Sequence, residues 1–151
     1  MKVKVPLGIK IIITFHMLSA ILWTIGQVGA VLFYDTIAGW GFQDPRENLA
    51  PGLVEVNKGI GLSDFVIQIP LFIIAIVGLW RMKFFVAIAS WMVFGISLYW
   101  PCVYWFSQYF HQIEGIKHSP AEPIDHILLA FIFLFSVWGS WYQYRKRQSF
   151  I

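Results

Sequence analysis

The chain has 151 residues, of which 58% are hydrophobic, 19% aromatic and 13% charged. Charged residues make up roughly 25% of a typical soluble domain, so this composition excludes an ordinary soluble protein and indicates a membrane protein. The formal net charge of +3 comes from basic residues at the ends of apolar stretches, which is a sign of membrane topology and gives no support for a nucleic-acid partner.

Four stretches of the sequence can cross a lipid bilayer. Residues 11–34, 84–113 and 126–144 contain no Asp, Glu, Lys or Arg, and residues 59–80 contain one such residue, Asp64. Each stretch supplies the roughly 20 residues needed to span about 30 Å of hydrocarbon. We therefore predict an all-α membrane protein, one four-transmembrane-helix bundle over 1–151, with helices at about 7–33, 60–80, 84–106 and 120–144 and a long outer loop at 34–59.

The charges also predict an orientation. The basic residues before helix 1, between helices 2 and 3 and after helix 4 share one side, whereas all eight acids fall toward the other. The excess of Lys and Arg in cytoplasmic loops places both termini in the cytoplasm. The expected location is the endoplasmic reticulum in a eukaryote or the cytoplasmic membrane in a prokaryote.

Helix 1 contains His16 near its inner end and closes at Asp35. Since His126 belongs to the outer end of helix 4, the two histidines lie at opposite depths and cannot ligate one haem together. Asp35 is either the first hydrated residue beyond the membrane or half of a carboxyl pair with Asp64, which lies at the same outer level.

Helix 2 places three unusual residues in the stretch GLSDFVIQIP. Asp64 lies about 25 Å along the helix from Arg81, where an ionisable group is costly and indicates function, unless it caps the helix at the interface. Gln68 lies one turn away on the same face. Pro70 removes a backbone donor, predicts a kink and frees the carbonyl of Val66, which Gln68 would satisfy if its role were structural.

Helix 3 must be an antiparallel neighbour of helix 2, because RMK alone joins them. Pro101 predicts a second kink in its aromatic outer half, LYWPCVYWFSQYF. Cys102 is the single cysteine, which excludes a two-cysteine redox mechanism. Aromatic side chains here form either the wall of a ligand cavity or an ordinary packing and interfacial belt; the ligand-binding candidates are Tyr99, Trp100 and Tyr104.

Helix 4 opens with the stretch SPAE, in which Ser119 is the predicted N-cap, Pro120 the first helical residue and Glu122 the acid that completes a capping box. Histidines and acids gather nearby, and two of them, Glu122 and His126, have the i, i+4 spacing of metal ligands. The spacing of the full group matches no defined motif, so we predict no metal and no other cofactor; the group is His111, Glu114, His118, Glu122 and His126.

The second helix resembles that of a known family. The segment Asp64-Phe-Val-Ile-Gln68-Ile-Pro70-Leu-Phe is similar to the acid-x-x-x-Gln-x-Pro-x-x segment of the emopamil-binding protein superfamily, the EXPERA-domain proteins, and is closest to the sigma-2 receptor branch. LFYD, ending at Asp35, resembles the LF-x-Asp close of the first helix in that branch. FQDP, which contains Asp44, resembles the Asp-Pro of its first loop.

The resemblance implies a bundle with cytoplasmic termini and a lipid-accessible cavity beside paired acids, Asp35 and Asp64. That cavity would accept sterols or cationic amphiphiles, with Asp44 as a structural acid in the loop and Pro70 and Pro101 shaping the helices. The isomerase branch pairs a His with a Glu near the end of its first helix. This chain has no His close to Asp35, which favours binding over isomerisation.

Three functions follow. The first is binding of a sterol, lipid or hydrophobic amine, with Asp64 as anchor, Asp35 as its coupled partner and Gln68 as an orienting donor. The second is sterol Δ8-Δ7 isomerase-like proton transfer through Asp35 and Asp64, which leaves enzymatic activity open. The third is a small structural subunit of a larger membrane complex, or a homodimer, with helix 3 as the contact face.

Overall fold

The structure, a computed structural model, describes residues 4–150. Within that range the chain forms four long helices and no strand. All four are long and apolar enough to cross a membrane, which confirms the predicted all-α fold with four spans. The helices are α1, Leu7–Gly39, α2, Leu53–Trp80, α3, Phe84–Ile113, and α4, Pro123–Arg145; short 3₁₀ turns occupy Arg46–Asn48 and Arg147–Ser149.

Helices α1 and α2 are longer than the sequence predicted, so the outer loop shrinks from 34–59 to 40–52. Phe33 interrupts the helical backbone of α1, with φ −138° and ψ 52°, but the helix resumes after it. The extra turns are held by packing, because Tyr34 and Ile37 of α1 are buried in one cluster with Val54 of α2. The predicted end of α1, which was placed where the charge-free stretch ends, was therefore too early.

The bounds of α3 and α4 also differ from the prediction. Helix α3 runs through Pro101 without a break and ends at Ile113, not at 106. Helix α4 begins at Pro123 and not at Pro120, because Glu122, and not Ser119, is its N-cap. The Asp125 carboxylate accepts a hydrogen bond of 2.8 Å from the Glu122 backbone N–H, which completes a capping box.

Two π-helical segments interrupt the regular helices at matching places. One is Thr24–Val28 in α1 and the other is Asp64–Gln68 in α2, and the two pack against each other. Pro70 lies in the first turn of the α-helical segment that follows the second of them. The predicted kinks at Pro70 and Pro101 stay predictions.

The bundle has two distinct ends, which we name by what they carry. The loop end carries residues 40–52 and 114–122, which are tied together by a 2.8 Å hydrogen bond from the Ala50 N–H to the Lys117 carbonyl. The terminal end carries Arg81–Lys83 and the segments beside the chain ends. Near the terminal end the largest buried cluster joins α1, α2, α3 and α4, and the rings of Phe15 and Phe135 stack with centroids 4.1 Å apart.

Close packing at the loop end involves mainly α1 and α2. Gly61 of α2 lies against the backbone carbonyl of Gln27 and the side chain of Val31, both in α1, so that a Cβ at this position would collide with them. Glycine is required here because a side chain would push the two helices apart. The two π-helical segments are thus held face to face.

Candidate functional site

The Asp64–Gln68 segment of α2 turns its two polar side chains into the protein. Asp64 is 8% exposed and Gln68 is 1% exposed. The three residues between them face outward, with Phe65, Val66 and Ile67 each more than half exposed. The segment therefore presents an apolar face to lipid and a polar face to the interior.

Asp64 has a partner that the sequence did not reveal. The indole Nε1–H of Trp23, in α1, donates a hydrogen bond of 2.9 Å to the Asp64 Oδ2. The ion pair found within residues 4–150 joins two other residues, so no basic side chain in that range neutralises Asp64. A buried carboxyl with a single neutral donor keeps unused capacity to accept hydrogen bonds.

Gln68 is the most unusual group in this segment. Its Nε2 and Oε1 atoms are both buried and both lack a hydrogen-bond partner. The structural alternative, in which Gln68 satisfies the carbonyl of Val66, is therefore wrong. Leaving a buried donor or acceptor unpaired costs about 1–3 kcal/mol, so this amide has the capacity to donate and accept further hydrogen bonds.

The π-helical geometry places these groups where two helices meet. A π-helical turn adds one residue to the turn and leaves backbone carbonyls out of the regular α-helical pattern, and such turns occur frequently at functional sites. Within the π-helical segment of α1, the Gly26 carbonyl accepts a 3.2 Å hydrogen bond from the Gln43 Nε2 of the loop. The Phe42 ring packs over the same glycine. The loop is thus attached to the π-helical segment of α1.

Asp35 occupies a different environment from Asp64. Its side chain is 75% exposed, and its Oδ1 accepts a 2.6 Å hydrogen bond and salt bridge from the Arg46 Nε. The Arg46 guanidinium also lies over the Tyr34 ring, 5.0 Å from its centroid. No hydrogen bond joins Asp35 to Asp64 in the part of the chain described. The two predicted acids have different partners and opposite exposure.

Asp44 lies within the loop that closes the loop end. Its backbone carbonyl accepts a 3.1 Å hydrogen bond from the Tyr34 hydroxyl. Burial raises the pKa of the Asp44 carboxyl; the Ser119 hydroxyl lowers it, the charge of Asp125 raises it, and His118 lowers it. Asp44 therefore lies close to α1, to the second loop and to the first turn of α4; its predicted structural role stays a prediction.

The predicted aromatic wall is divided between lipid and interior. Tyr99 is 67% exposed, which fits the interfacial or lipid-facing alternative. Trp100 and Tyr104 are half-buried, and the Tyr104 hydroxyl donates a 3.4 Å hydrogen bond to the Asp125 Oδ2. Pro101 is buried in α3, whereas Pro70 is exposed.

The histidines and acids near the loop end have local partners. His126 Nδ1 accepts a 3.1 Å hydrogen bond from the Trp105 indole, and His118 Nδ1 lies 2.7 Å from the Ile116 carbonyl oxygen. His111 and His118 stack loosely, with centroids 5.2 Å apart. Among residues 4–150, no group of three or more His, Cys, Asp or Glu side chains is arranged to hold a metal ion.

A second buried polar cluster was missed by the sequence analysis, which considered His16 only as a haem ligand. His16 Nε2 lies 2.7 Å from Ser90 Oγ, and Gln143 Nε2 donates to the same oxygen at 2.6 Å. All three side chains are fully buried. The sequence did hold a clue to this cluster, because His16, Ser90 and Gln143 are each a polar residue within a charge-free stretch. They belong to three different helices, so nothing in the sequence pattern connects them.

One apolar groove lies away from both polar sites. It has a volume of about 330 Å³ and is formed by α2 and the turn after it, near the terminal end, where Arg81 and Lys83 border it. Asp64 does not line it. The predicted cavity beside Asp64 stays a prediction.

Comparison with known proteins adds no relative: no family model, no curated protein and no solved structure matches the chain.

Proposed function

We propose that this is an integral membrane protein that binds a hydrophobic ligand through one polar group, held by Asp64 and Gln68. The observation that carries the proposal is Gln68, whose buried amide has both a donor and an acceptor unpaired, one helical turn from a buried carboxyl. Ionisable and polar groups inside a membrane are costly and are retained where they bind or transfer something.

The chemistry of the site fits a sterol-like hydroxyl or a hydrophobic amine. A hydroxyl both donates and accepts, so one such group can use the Gln68 Oε1 as acceptor and the Nε2 as donor. A protonated amine would instead donate to the Asp64 carboxylate, and the Trp23 indole beside that carboxylate supplies an aromatic face for a cation. The resemblance to the EXPERA-domain proteins points to the same two ligand classes.

Access from the bilayer is a further point in favour of a lipophilic ligand. The residues between Asp64 and Gln68 are exposed and apolar, so α2 borders the bilayer on one side and carries the polar side chains on the other. A lipophilic ligand would reach that polar side from the bilayer, past the edge of α2. Proton transfer by an acid pair receives less support, because Asp35 is exposed and bound to Arg46. Binding is therefore a better match than isomerisation.

The test is to identify the small hydrophobic molecules that co-purify with the protein, by mass spectrometry of organic extracts. Wild type is compared with Asp64→Asn and Gln68→Met. The matched control is Glu55→Gln, which makes the same acid-to-amide change at an exposed position of the same helix. Size-exclusion profiles and circular dichroism show that each variant is folded.

A sterol-like or amphiphilic species held by wild type and Glu55→Gln, and lost from both site variants, is the expected result. Equal amounts of the same species in all four preparations would place the ligand elsewhere. If every folded preparation carried bulk lipid alone, the binding proposal would be rejected and a role as a subunit of a membrane complex would become the better account.

A further inference from the structure

The cluster of His16, Ser90 and Gln143 ties three helices together near the terminal end. Ser90 Oγ is its centre, because both other side chains are hydrogen-bonded to that one oxygen. The His16 ring is enclosed by aromatic rings, with centroids 5.8 Å from Phe72 and 4.8 Å from Phe94. Two atoms of the cluster, His16 Nδ1 and Gln143 Oε1, are buried without any partner.

The protons of the cluster can be placed in two self-consistent ways. If the Gln143 amide N–H donates to Ser90, the Ser90 hydroxyl donates to His16 Nε2 and the imidazole proton lies on Nδ1. The unpaired atoms are then a donor, His16 Nδ1–H, and an acceptor, Gln143 Oε1.

If the amide of Gln143 is turned over, the Ser90 hydroxyl donates to its oxygen and His16 Nε2–H donates to Ser90. The unpaired atoms are now an acceptor, His16 Nδ1, and a donor, the Gln143 NH₂ group. Both arrangements leave one donor and one acceptor, each on a group bonded directly to Ser90.

The cluster is electrically neutral in both arrangements. No acidic side chain in residues 4–150 hydrogen-bonds to His16, Ser90 or Gln143, so an imidazolium would be a buried charge without compensation, which is strongly unfavourable. A neutral pair of one donor and one acceptor does not match an anion or a cation. It matches a hydroxyl group, which also carries both functions.

We propose that this cluster is a second polar binding site, which holds one hydroxyl group on His16 Nδ1 and the outward atom of the Gln143 amide. The hydroxyl belongs either to a buried water or to a lipid-like alcohol, since both offer the same hydrogen-bonding chemistry. This site is separate from the one at Asp64 and Gln68. The two are divided by a buried apolar cluster that contains Phe72 and Val93 and has Trp23 packed on it.

The test is ¹⁵N solid-state NMR of histidine-labelled protein in lipid vesicles. The chain has four histidines, so the triple variant H111Q/H118Q/H126Q leaves His16 as the sole labelled residue; the three replaced side chains are near the loop end and none is buried. The wild-type spectrum is recorded beside it, which keeps the measurement interpretable if the variant is unstable. Vesicles are prepared with and without cholesterol, and in H₂O and D₂O.

The expected signal is a hydrogen-bonded His16 Nδ1 with a cross-peak to an outside hydroxyl. A cross-peak to water protons that disappears in D₂O identifies water, and one to cholesterol protons identifies a lipid alcohol. In Gln143→Met, which removes the second contact, the cross-peak should be lost while the helical circular dichroism stays unchanged. An Nδ1 signal typical of an unbonded nitrogen, with no cross-peak to water or to cholesterol, would overturn the proposal. None of these outcomes depends on ligand binding at Asp64.

Discussion

Replacing Gln68 with Met should make the protein more stable and unable to hold its ligand. Methionine has nearly the length and shape of glutamine, so the change removes the amide while keeping the volume that α2 presents to its neighbours. Gln68 is 1% exposed and both its amide atoms lack a partner. The ligand-free protein therefore carries a penalty that the variant does not.

The size of the effect follows from that penalty. One unpaired buried donor or acceptor costs about 1–3 kcal/mol, and Gln68 has two such atoms. The two atoms together therefore cost about 2–6 kcal/mol. Imperfect repacking around Met costs up to about 1.5 kcal/mol, so we expect a net gain of at least about 0.5 kcal/mol and at most about 6 kcal/mol. For a chain of this size each kcal/mol raises Tm by about 2–4 °C.

The assay is thermal unfolding in detergent after delipidation, followed by circular dichroism at several concentrations of added cholesterol. Wild type should gain stability as the sterol is added, because a ligand that binds only the folded state shifts the equilibrium. Gln68→Met should begin higher and respond less. The control is Gln112→Met, the same chemical change at an exposed position of α3, which should alter stability by less than about 0.5 kcal/mol.

A delipidated Gln68→Met that is less stable than wild type would refute this reasoning. It would show that the amide is satisfied inside the protein, and that its role is structural. A different outcome is a variant that is more stable than wild type and gains as much stability from the sterol. It would show that the unpaired amide destabilises the protein but that Gln68 does not contact the ligand.

Three further changes test the surroundings of the site. Gly61→Ala should destabilise the protein by about 1–3 kcal/mol in chemical denaturation, because the added Cβ meets the backbone of α1. The control Gly59→Ala has open space around it and should be neutral or stabilising by up to about 1 kcal/mol. Equal effects of the two changes would contradict the close helix contact. Trp23→Phe removes the donor to Asp64 and should cost about 1–3 kcal/mol by the same measurement, and no loss would mean that the carboxyl has another partner. Burial raises the pKa of Asp44, so its folded form holds the proton more tightly than the unfolded form does. This group's stabilisation is therefore present at low pH and is lost as the pH rises through the raised pKa. In unfolding curves, the stability of Asp44→Asn relative to wild type should increase as the pH rises above 3.8, the ordinary pKa of the carboxyl; a pH-independent difference would count against it.

The sequence was sufficient to predict the four spans and to single out Asp64 and Gln68 as polar residues within the second span. Long charge-free intervals are a property of composition, and membrane crossing depends mainly on composition and length. Asp64 and Gln68 were found because they break that pattern at a helical spacing. The charge-free intervals and the polar residues at helical spacing are both local patterns, so they can be recognised in one sequence without knowledge of the tertiary structure.

The missed features depend on contacts between distant parts of the chain. Trp23 and Asp64 are 41 positions apart, and His16 and Ser90 are 74 apart, so no local pattern connects them. Helix α1 ends later and helix α2 begins earlier than the sequence predicted, because Tyr34 and Val54 pack together in one buried cluster. The charge of Asp35 had suggested that α1 ends there. The partner of Asp35 was also a loop residue, Arg46, and not the acid at a similar depth.

The placement of the two polar sites favours binding over passage across the membrane. A path for water or protons needs polar groups that follow one another through the bundle. Between Gln68 and His16 the interior is instead filled by Phe72 and Val93, both fully buried in an apolar cluster. Since Phe72 lies one turn beyond Gln68 on α2 and its ring contacts His16, this apolar layer separates the sites directly. A ligand at either of the two proposed sites would therefore leave this apolar layer closed, which is compatible with the proposed binding of a lipophilic molecule and unfavourable for transport.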